Sequence, residues 1–213
     1  FVARAREGCA DWPVGEVRRK AEPFGGRQTR RVFRRKHIQQ AHLLFVCSAA
    51  SAQAEDRYAL QVLAAMLGDS SGSKLYWRLV DTGLAESAGC ESDERDNLGL
   101  FSAYASTDPQ RMDVVAQIMQ EVLQQPLVFS DSELEQAKAK LAVRLVLGGE
   151  LPMGRLLSIG TAWLYRGELH NLRKAVRDLQ TVSRADIQAA VEKYGLDKWG
   201  QYYLLPEDGE DEK

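Results

Sequence analysis

The apolar residues in the middle of the chain switch from helical to strand spacing, and this order restricts the fold more than any other feature. One stripe has helical spacing: Leu60, Leu63, Ala64 and Leu67. The glycine and serine cluster at 68–72 ends that helix, and a short second helix is expected from Ser73. A strand over 84–91, a polar loop over 92–97 and a strand over 98–106 then predict an antiparallel hairpin.

The flanking segments predict the rest of a layered domain. Strands are expected over 29–35 and 39–48, the first with the paired arginines of an edge strand and the second apolar enough on both faces to lie inside a sheet. Further helices and a last strand are predicted over 109–124, 131–147, 153–165, 172–179, 184–194 and 201–205. The expected fold class is α+β, a mostly antiparallel sheet of about five to six strands with helices layered on one face.

Two helix starts carry a local signature. Ser130 precedes Glu133 by three residues, and Ser183 precedes Asp186 by the same spacing. A hydroxyl followed at this distance by a carboxylate satisfies the free amides of a helix start, so both positions predict capping boxes.

Length and composition indicate one large globular domain with a shorter segment at each end. The chain has 213 residues, of which 45% are hydrophobic and 27% charged. Proline and paired glycines at 22–26 indicate that residues 1–26 are a linker or arm from an upstream domain, with no obvious helix start in its first residues. Residues 27–206 form the predicted domain and 207–213 an acidic tail. No apolar run approaches the roughly 20 residues that cross a bilayer.

The charge pattern argues against nucleic-acid binding, and the cysteine content argues against a disulfide framework and a structural zinc site. Basic residues cluster near the front of the chain, but only Phe24 and Phe33 are interleaved with them, so we expect no nucleic-acid partner. Cys9, Cys47 and Cys90 are odd in number and lack C-x-x-C spacing. We expect free thiols, with Cys47 in the core and Cys90 near a strand end.

The order of three segments carries a family resemblance. These are Leu60-Gln-Val-Leu-Ala-Ala-Met-Leu-Gly68, Ser71-Gly-Ser-Lys-Leu-Tyr-Trp-Arg-Leu-Val-Asp-Thr-Gly-Leu-Ala85 and Leu98-Gly-Leu-Phe-Ser-Ala-Tyr-Ala-Ser-Thr107. The order resembles the second half of a repeat in insulinase/pitrilysin-type zinc metallopeptidases, the group that includes mitochondrial processing peptidase. The stretches 134–138 and 182–187 resemble later elements of the same repeat. The resemblance implies a metallohydrolase-like domain.

The family's zinc motif, H-x-x-E-H, is missing from this chain. His37, His42 and His170 have no glutamate at the required spacing, and His42 lies within a predicted strand. The resemblance therefore implies the copy of the repeat without catalytic or metal-binding residues. Zinc is expected in a partner half and no cofactor in this chain.

Two substrate-binding positions of the family are also replaced. Complete members carry an arginine and, seven residues on, a tyrosine that polarise the bound peptide. Val80 stands at the arginine position and Glu86 at the tyrosine position, one residue early. Arg78 and Tyr76 are near in sequence, but on a helix they face other directions than residue 80.

The resemblance implies a non-catalytic C-terminal half of a zinc peptidase that completes a chamber for unfolded peptides. The alternative is a catalytically dead scaffold subunit of the same descent, as in the respiratory-complex core proteins. The parent protein is expected to be a zinc metalloendopeptidase of the bacterial cytoplasm or periplasm. The partner would be a zinc-bearing sister domain or, in a two-fold arrangement, a second copy.

A peptide-binding wall is expected next to the short helix. The candidate residues are Ser71, Ser73, Leu84, Ala85, Glu86 and Ser87. An extended peptide could add there to a sheet edge through backbone hydrogen bonds alone. The competing interpretation is that this strand is paired on both sides within the sheet.

Overall fold

A computed structural model describes residues 1–13, 15 and 28–207, and shows seven α-helices and one five-stranded sheet among them. The strands are β1 (Thr29–Arg35), β2 (Ala41–Ala49), β3 (Ser87–Arg95), β4 (Leu98–Thr107) and β5 (Gly200–Pro206). The helices are α1 (Val2–Gly8), α2 (Arg57–Gly68), α3 (Met112–Gln124), α4 (Asp131–Glu150), α5 (Pro152–Arg166), α6 (Leu172–Gln180) and α7 (Arg184–Tyr194). A π-helical segment, Tyr76–Val80, and a 3-10 turn, Pro109–Arg111, complete the order.

The strand order across the sheet is β1-β5-β2-β4-β3. The β1–β5 pair is parallel, and the other three pairs are antiparallel. As predicted, β2 lies inside the sheet and β1 at one edge. The fold class is confirmed as α+β.

The core lies between one face of the sheet and the helices. Alternate residues of β2, such as Leu43 and Phe45, are fully buried, whereas their neighbours on the other face are half-buried or exposed. Helix α2 is buried on most of its surface because it lies between the sheet and the outer helices. The predicted capping boxes at Ser130 and Ser183 are both present.

The prediction for the third strand was wrong at both ends. The ladder begins at Ser87, not residue 84, because the Ala85 amide donates to the carbonyl of Leu79 at 2.9 Å and so ends the preceding helical segment. The expected loop over 92–97 is a two-residue turn, since β3 continues to Arg95 opposite Leu98. Asn97 adopts a φ of 58°, a conformation that asparagine tolerates better than most residues.

Two helical predictions also need correction. The helix expected from Ser73 widens into π geometry, in which the Asp81 amide donates to the carbonyl of Tyr76 at 2.9 Å. The front of the chain, expected to lack a helix, forms α1, which buries no residue. The rest of the predicted arm, residues 16–26, and the tail after Glu207 lie outside the described residues, so the domain boundaries stay predictions.

Cys47 is a core residue, as predicted, and burial raises the pKa of its thiol to about 12. Cys90 lies in the middle of β3, not near a strand end as expected, since β3 extends to Arg95. Burial also raises the pKa of the Cys90 thiol. All three cysteines are free thiols. In the described part of the chain, no helix is long and apolar enough to cross a bilayer.

The close approach of α2 to β3 gives a direct test of this packing. A Cβ on Gly68 would lie 2.0 Å from the Cys90 amide nitrogen. We expect Gly68→Ala to lower the free energy of unfolding by about 1–3 kcal/mol, because the helix and strand must separate to admit the methyl group. The measurement is urea unfolding followed by circular dichroism.

Gly160→Ala in α5 is the matched control, since a Cβ there meets nothing within 4 Å. This substitution should be neutral or stabilise by up to about 1 kcal/mol. Equal stability of the Gly68→Ala variant and the unchanged protein would contradict the packing of α2 on β3.

Candidate functional site

The loop that follows α2 is fixed by a largely buried carboxylate, Asp69. Its Oδ1 accepts from Arg144 Nη2 at 2.9 Å and from the Ser70 amide at 2.9 Å, and Lys140 Nζ lies 3.4 Å from Oδ2. Lys140 also donates to the carbonyl of Ser71 at 2.5 Å. These contacts tie the loop to the middle of α4, and the contacts from Lys140 to Ser71 and from Arg144 to Asp69 span 69 and 75 residues of sequence.

The charge on Asp69 is favoured by these partners. Burial alone would raise the pKa of the carboxyl group, but the hydrogen bonds from Arg144 and Ser70 and the charges of Arg144 and Lys140 outweigh burial and hold the pKa below its usual value. The ion pairs are therefore fully formed at neutral pH. No pattern in the sequence indicated this contact, because it depends on the folded position of α4.

The two predicted serines of this loop have different surroundings. Ser73 is buried, and its hydroxyl donates to the carbonyl of Asp69 at 2.7 Å and accepts from the Tyr76 amide at 3.2 Å. It therefore caps the start of the short helical segment. Ser71 is exposed in the turn, with its side chain available to a ligand.

The other four predicted residues connect that helical segment to β3. The Leu84 carbonyl accepts from the Thr107 hydroxyl at 2.6 Å, and Ala85 is buried. Glu86 is exposed; its amide donates to the Ser106 carbonyl at 2.9 Å, and its carboxylate accepts from Gln40. The Ser87 hydroxyl lies 2.8 Å from that of Ser106.

A shallow pocket of about 410 Å³ opens beside these residues. Its lining includes the backbone turn from Gly83 to Glu86 and the side chains of Gln40, Asp108 and Arg111. Arg111 is held in place because its guanidinium donates to the Gly83 carbonyl at 2.6 Å. The pocket thus offers two carboxylates, of Glu86 and Asp108, with amide groups and the Arg111 guanidinium, next to the start of an edge strand.

Val80 and Glu86, which are predicted from the sequence to stand at two replaced family positions, lie on either side of this turn. Val80 ends the π-helical segment and is half-buried, and Glu86 faces solvent. Arg78 is engaged elsewhere, since its Nη2 lies 2.6 Å from Glu121 Oε2 on α3. Tyr76 packs edge-on against Trp77, with ring centroids 5.1 Å apart.

Strand β3 is an edge strand of the sheet. It pairs with β4 on one side, and within the described residues no strand pairs with its other side. The competing interpretation, in which this strand is paired on both sides, therefore does not hold for this domain. A free row of backbone amides and carbonyls is what an added peptide strand requires.

The histidines have separate surroundings. His42 Nδ1 lies 2.8 Å from the Tyr104 hydroxyl across neighbouring strands, and His37 is exposed with a φ of 63°. Burial lowers the pKa of His170, and the charge of Arg166 adds to this effect. Across residues 1–13, 15 and 28–207, no three histidine, cysteine or carboxylate side chains form a metal-binding cluster.

The Asp69 contacts generate a prediction with a defined pH dependence. Asp69→Asn should lower the free energy of unfolding by about 1 kcal/mol at pH 7, because the substitution removes the charge that pairs with Arg144 and Lys140. The folded-state pKa is depressed, so the contribution is complete above the unfolded-state value near 4 and is lost as the pH falls through the folded-state value. Urea unfolding at pH 7 and below pH 4 measures the difference.

Glu121→Gln is the control, since Glu121 pairs with Arg78 on an exposed surface and should change stability little. Amide exchange of residues 70–73 should quicken in the Asp69 variant only. A pH-independent loss, or unchanged exchange in this loop, would contradict the role assigned to Asp69.

Comparison with known proteins places this chain in a family. Residues 2–141 match the family model described as the peptidase M16 inactive domain. A curated relative, an uncharacterized zinc protease of Mycobacterium tuberculosis, is 29% identical over 155 residues, which cover 71% of this chain and 35% of the relative. The chain thus spans about a third of the length of this relative.

Solved structures agree at the level of the fold. A peptidase M16 inactive domain from Pseudomonas fluorescens superposes with a TM-score of 0.82 at 20% identity, covering 97% of this chain and 51% of that one. A chain of complex III from Candida albicans gives a TM-score of 0.74 at 16% identity, covering 89% of this chain and 49% of the other. With the family match over most of its length, this chain belongs to the peptidase M16 family as an inactive domain.

Proposed function

We propose that this domain is the non-catalytic half of a zinc-dependent peptidase and packs against a zinc-bearing half to enclose a chamber for unfolded peptides. The observation that supports this most is the open face of the sheet. The helices bury the face that carries Leu43, Phe45 and Phe101, each with no exposed surface. The opposite face bears large apolar side chains that remain partly exposed.

Neighbouring strands contribute to this open face in register. Leu44 on β2 lies opposite Tyr104 on β4, and Phe33 on β1 lies opposite Leu204 on β5. Leu44, Tyr104 and Phe33 are 39%, 38% and 49% exposed. Burying a side chain of this size completely stabilises a protein by about 1.5–3 kcal/mol. Because these three side chains are only partly buried, a partner that covered them would add the remaining part of that stabilisation.

The polar groups on the open face suit a domain interface. His42 and Tyr104 lie within hydrogen-bonding distance of each other, and their rings stack with centroids 6.1 Å apart. The contact pairs His42 Nδ1 with the Tyr104 hydroxyl and leaves His42 Nε2 as the polar atom for a partner to meet, while the two rings present apolar surface. A sister domain that covers this pair would need one hydrogen-bonding group opposite His42 Nε2.

The chamber wall would be formed by the free edge of β3 and the turn before it. An extended peptide adding to β3 would run past Ser87 and Glu86 towards Ser71, with Ser73, Leu84 and Ala85 supporting the turn from beneath. The reaction chemistry would come from zinc in the partner half. This domain would supply backbone hydrogen bonds and shape.

A scaffold subunit without peptidase activity is the second candidate. The side chains of Val80 and Glu86 cannot donate the hydrogen bonds that the family's arginine and tyrosine provide, and a chain of complex III has a similar fold; both observations support this candidate. An H-x-x-E-H motif in the partner half favours the peptidase, and its absence favours the scaffold.

Pairing through the open face can be tested by changing its central residue. We expect the zinc-bearing half encoded upstream, or in the adjacent reading frame, to form a one-to-one complex with this chain. Leu44→Glu should weaken the complex at least tenfold, since it places a charge within an apolar contact. Light scattering and calorimetric titration measure the complex.

Val114→Glu is the control and should leave the affinity unchanged, since Val114 lies on α3 and is 51% exposed, against 39% for Leu44. A monomer that fails to bind the zinc half would contradict the proposal. A homodimer that Leu44→Glu dissociates would identify a second copy as the partner of this face.

Peptide addition at β3 gives a separate prediction. In the complex, an unfolded peptide should protect the amides of residues 87–95 from hydrogen exchange, while those of β1, at the opposite edge of the sheet, exchange as before. A photoreactive peptide should crosslink to residues 84–89. Crosslinks confined to other surfaces, or protection at β1 alone, would reject this edge as the binding site.

A further inference from the structure

Strand β1, at the edge of the sheet opposite β3, carries a symmetrical pattern of charged and apolar residues. Two arginines, two apolar residues and two more arginines follow one another: Arg30, Arg31, Val32, Phe33, Arg34 and Arg35. Because successive side chains of a strand point to opposite faces, each face of β1 has one apolar residue between two arginines. The pattern is the same from either end, so it fits a parallel or an antiparallel neighbour.

The register with β5 assigns these side chains to the two faces of the sheet. Val32 lies opposite Tyr203, a core residue, so the even-numbered residues of β1 are on the helix side. The odd-numbered residues Arg31, Phe33 and Arg35 are on the open face. All residues from 30 to 35 are exposed, because β1 packs mainly on β5 and not on the helices.

The outer edge of β1 has backbone groups available for pairing. Among the described strands, β1 pairs with β5 alone. Charged side chains on such an edge usually prevent it from joining other strands. A second copy of β1 is disfavoured, since arginines would lie opposite arginines and like charges directly opposite destabilise a strand pair. A strand of the opposite charge is not disfavoured in this way.

The arginines of this edge have few carboxylate partners within the domain. The segment 30–36 contains five basic residues and no acidic residue. Among the described residues, the ion pairs include none of Arg30, Arg31 and Arg35. The charge that a partner meets on this edge is therefore positive on both faces.

Two of the guanidinium groups are held in position by uncharged groups. Arg30 lies over the ring of Tyr203, 5.0 Å from its centroid, and Arg34 Nη1 donates to the Pro206 carbonyl at 3.2 Å. These contacts restrict the side chains without removing their charge. A carboxylate that binds them costs less side-chain entropy than one that binds a freely moving arginine.

We propose that the outer edge of β1 binds an extended acidic segment of another protein, which joins the five-stranded sheet as a further strand. The matching segment has two acidic residues, two apolar residues and two acidic residues. Each carboxylate then lies opposite an arginine, and each apolar side chain lies opposite Val32 or Phe33. This contact and peptide addition at β3 use opposite edges of the sheet, so either can fail without the other.

The acidic end of this chain matches the pattern less well. Residues 207–212 contain five acidic residues and one glycine, with no apolar residue to lie opposite Val32 and Phe33. The Glu207 amide donates to the Arg35 carbonyl at 3.0 Å, on the side of β1 that faces β5. A segment of a separate protein therefore fits the outer edge better.

The test is titration of the 213-residue chain with two capped six-residue peptides of the same composition, followed by amide chemical shifts. The matched peptide has two glutamates, two valines and two glutamates, and in the control peptide the valines are moved to the two ends. We expect the matched peptide to bind about tenfold more tightly, because the control leaves two of the four arginines without a carboxylate opposite. The shifts should be confined to β1 and its neighbours and absent from β3.

Arg31→Gln with Arg35→Gln should weaken binding of the matched peptide at least tenfold and leave the unfolding curve unchanged, since both side chains are exposed. Arg173→Gln with Arg177→Gln on α6 removes the same charge from exposed positions elsewhere and should leave the affinity unchanged.

Four results would overturn the proposal. They are the absence of binding, equal binding of the two peptides, tighter binding of a single-stranded oligonucleotide than of the matched peptide, and binding that appears only when residues 208–213 are removed. The second would show attraction by charge alone, the third would assign the edge to nucleic acid, and the fourth would assign it to the acidic end of this chain.

Discussion

The one-sided burial of the sheet is the constraint on which the rest of this structure depends. Leu43 and Phe45 on β2 and Phe101 on β4 face the helices and are fully buried, so β2 cannot shift by one residue without exposing them. The same alternation places Leu44 and Tyr104 on the other face, where the described residues provide no cover of comparable depth. The core of the domain is therefore complete, whereas apolar side chains on the outer face of the sheet stay partly exposed.

The site next to β3 depends on contacts between distant parts of the chain. Asp69 holds the loop after α2 against α4, and Arg111 holds the turn at Gly83. The close contact of Gly68 with β3 keeps α2 and the edge strand at a fixed separation. These contacts give defined shapes to the loop after α2 and to the turn at Gly83.

Features of the fold that arise from local physical chemistry could be predicted from the sequence. The capping boxes at Ser130 and Ser183 need only a hydroxyl and a carboxylate three residues apart. The arginines of β1 and the apolar centre of β2 correctly indicated an edge strand and an inner strand. The resemblance to the insulinase-type peptidases, carried by three segments in order, is confirmed by the family match.

Features that depend on tertiary contacts could not be predicted. The start of β3 is fixed by the hydrogen bond from Ala85 to Leu79, and the π geometry by one from Asp81 to Tyr76. Neither hydrogen bond can be inferred from the spacing of residue types in the sequence. The pattern of α5 likewise shows a helix, but not that its small residues, rather than its leucines, face the domain.

Peptide hydrolysis by a titrated complex tests the central claim most directly. The zinc-bearing half would be titrated with this chain, and zinc content and cleavage of an unfolded peptide would be measured in the same samples. The account predicts that cleavage rises to a plateau at one equivalent, with zinc bound in the partner half and none carried stoichiometrically by this chain. Full activity of the zinc half alone, or one zinc per copy of this chain in isolation, would contradict it.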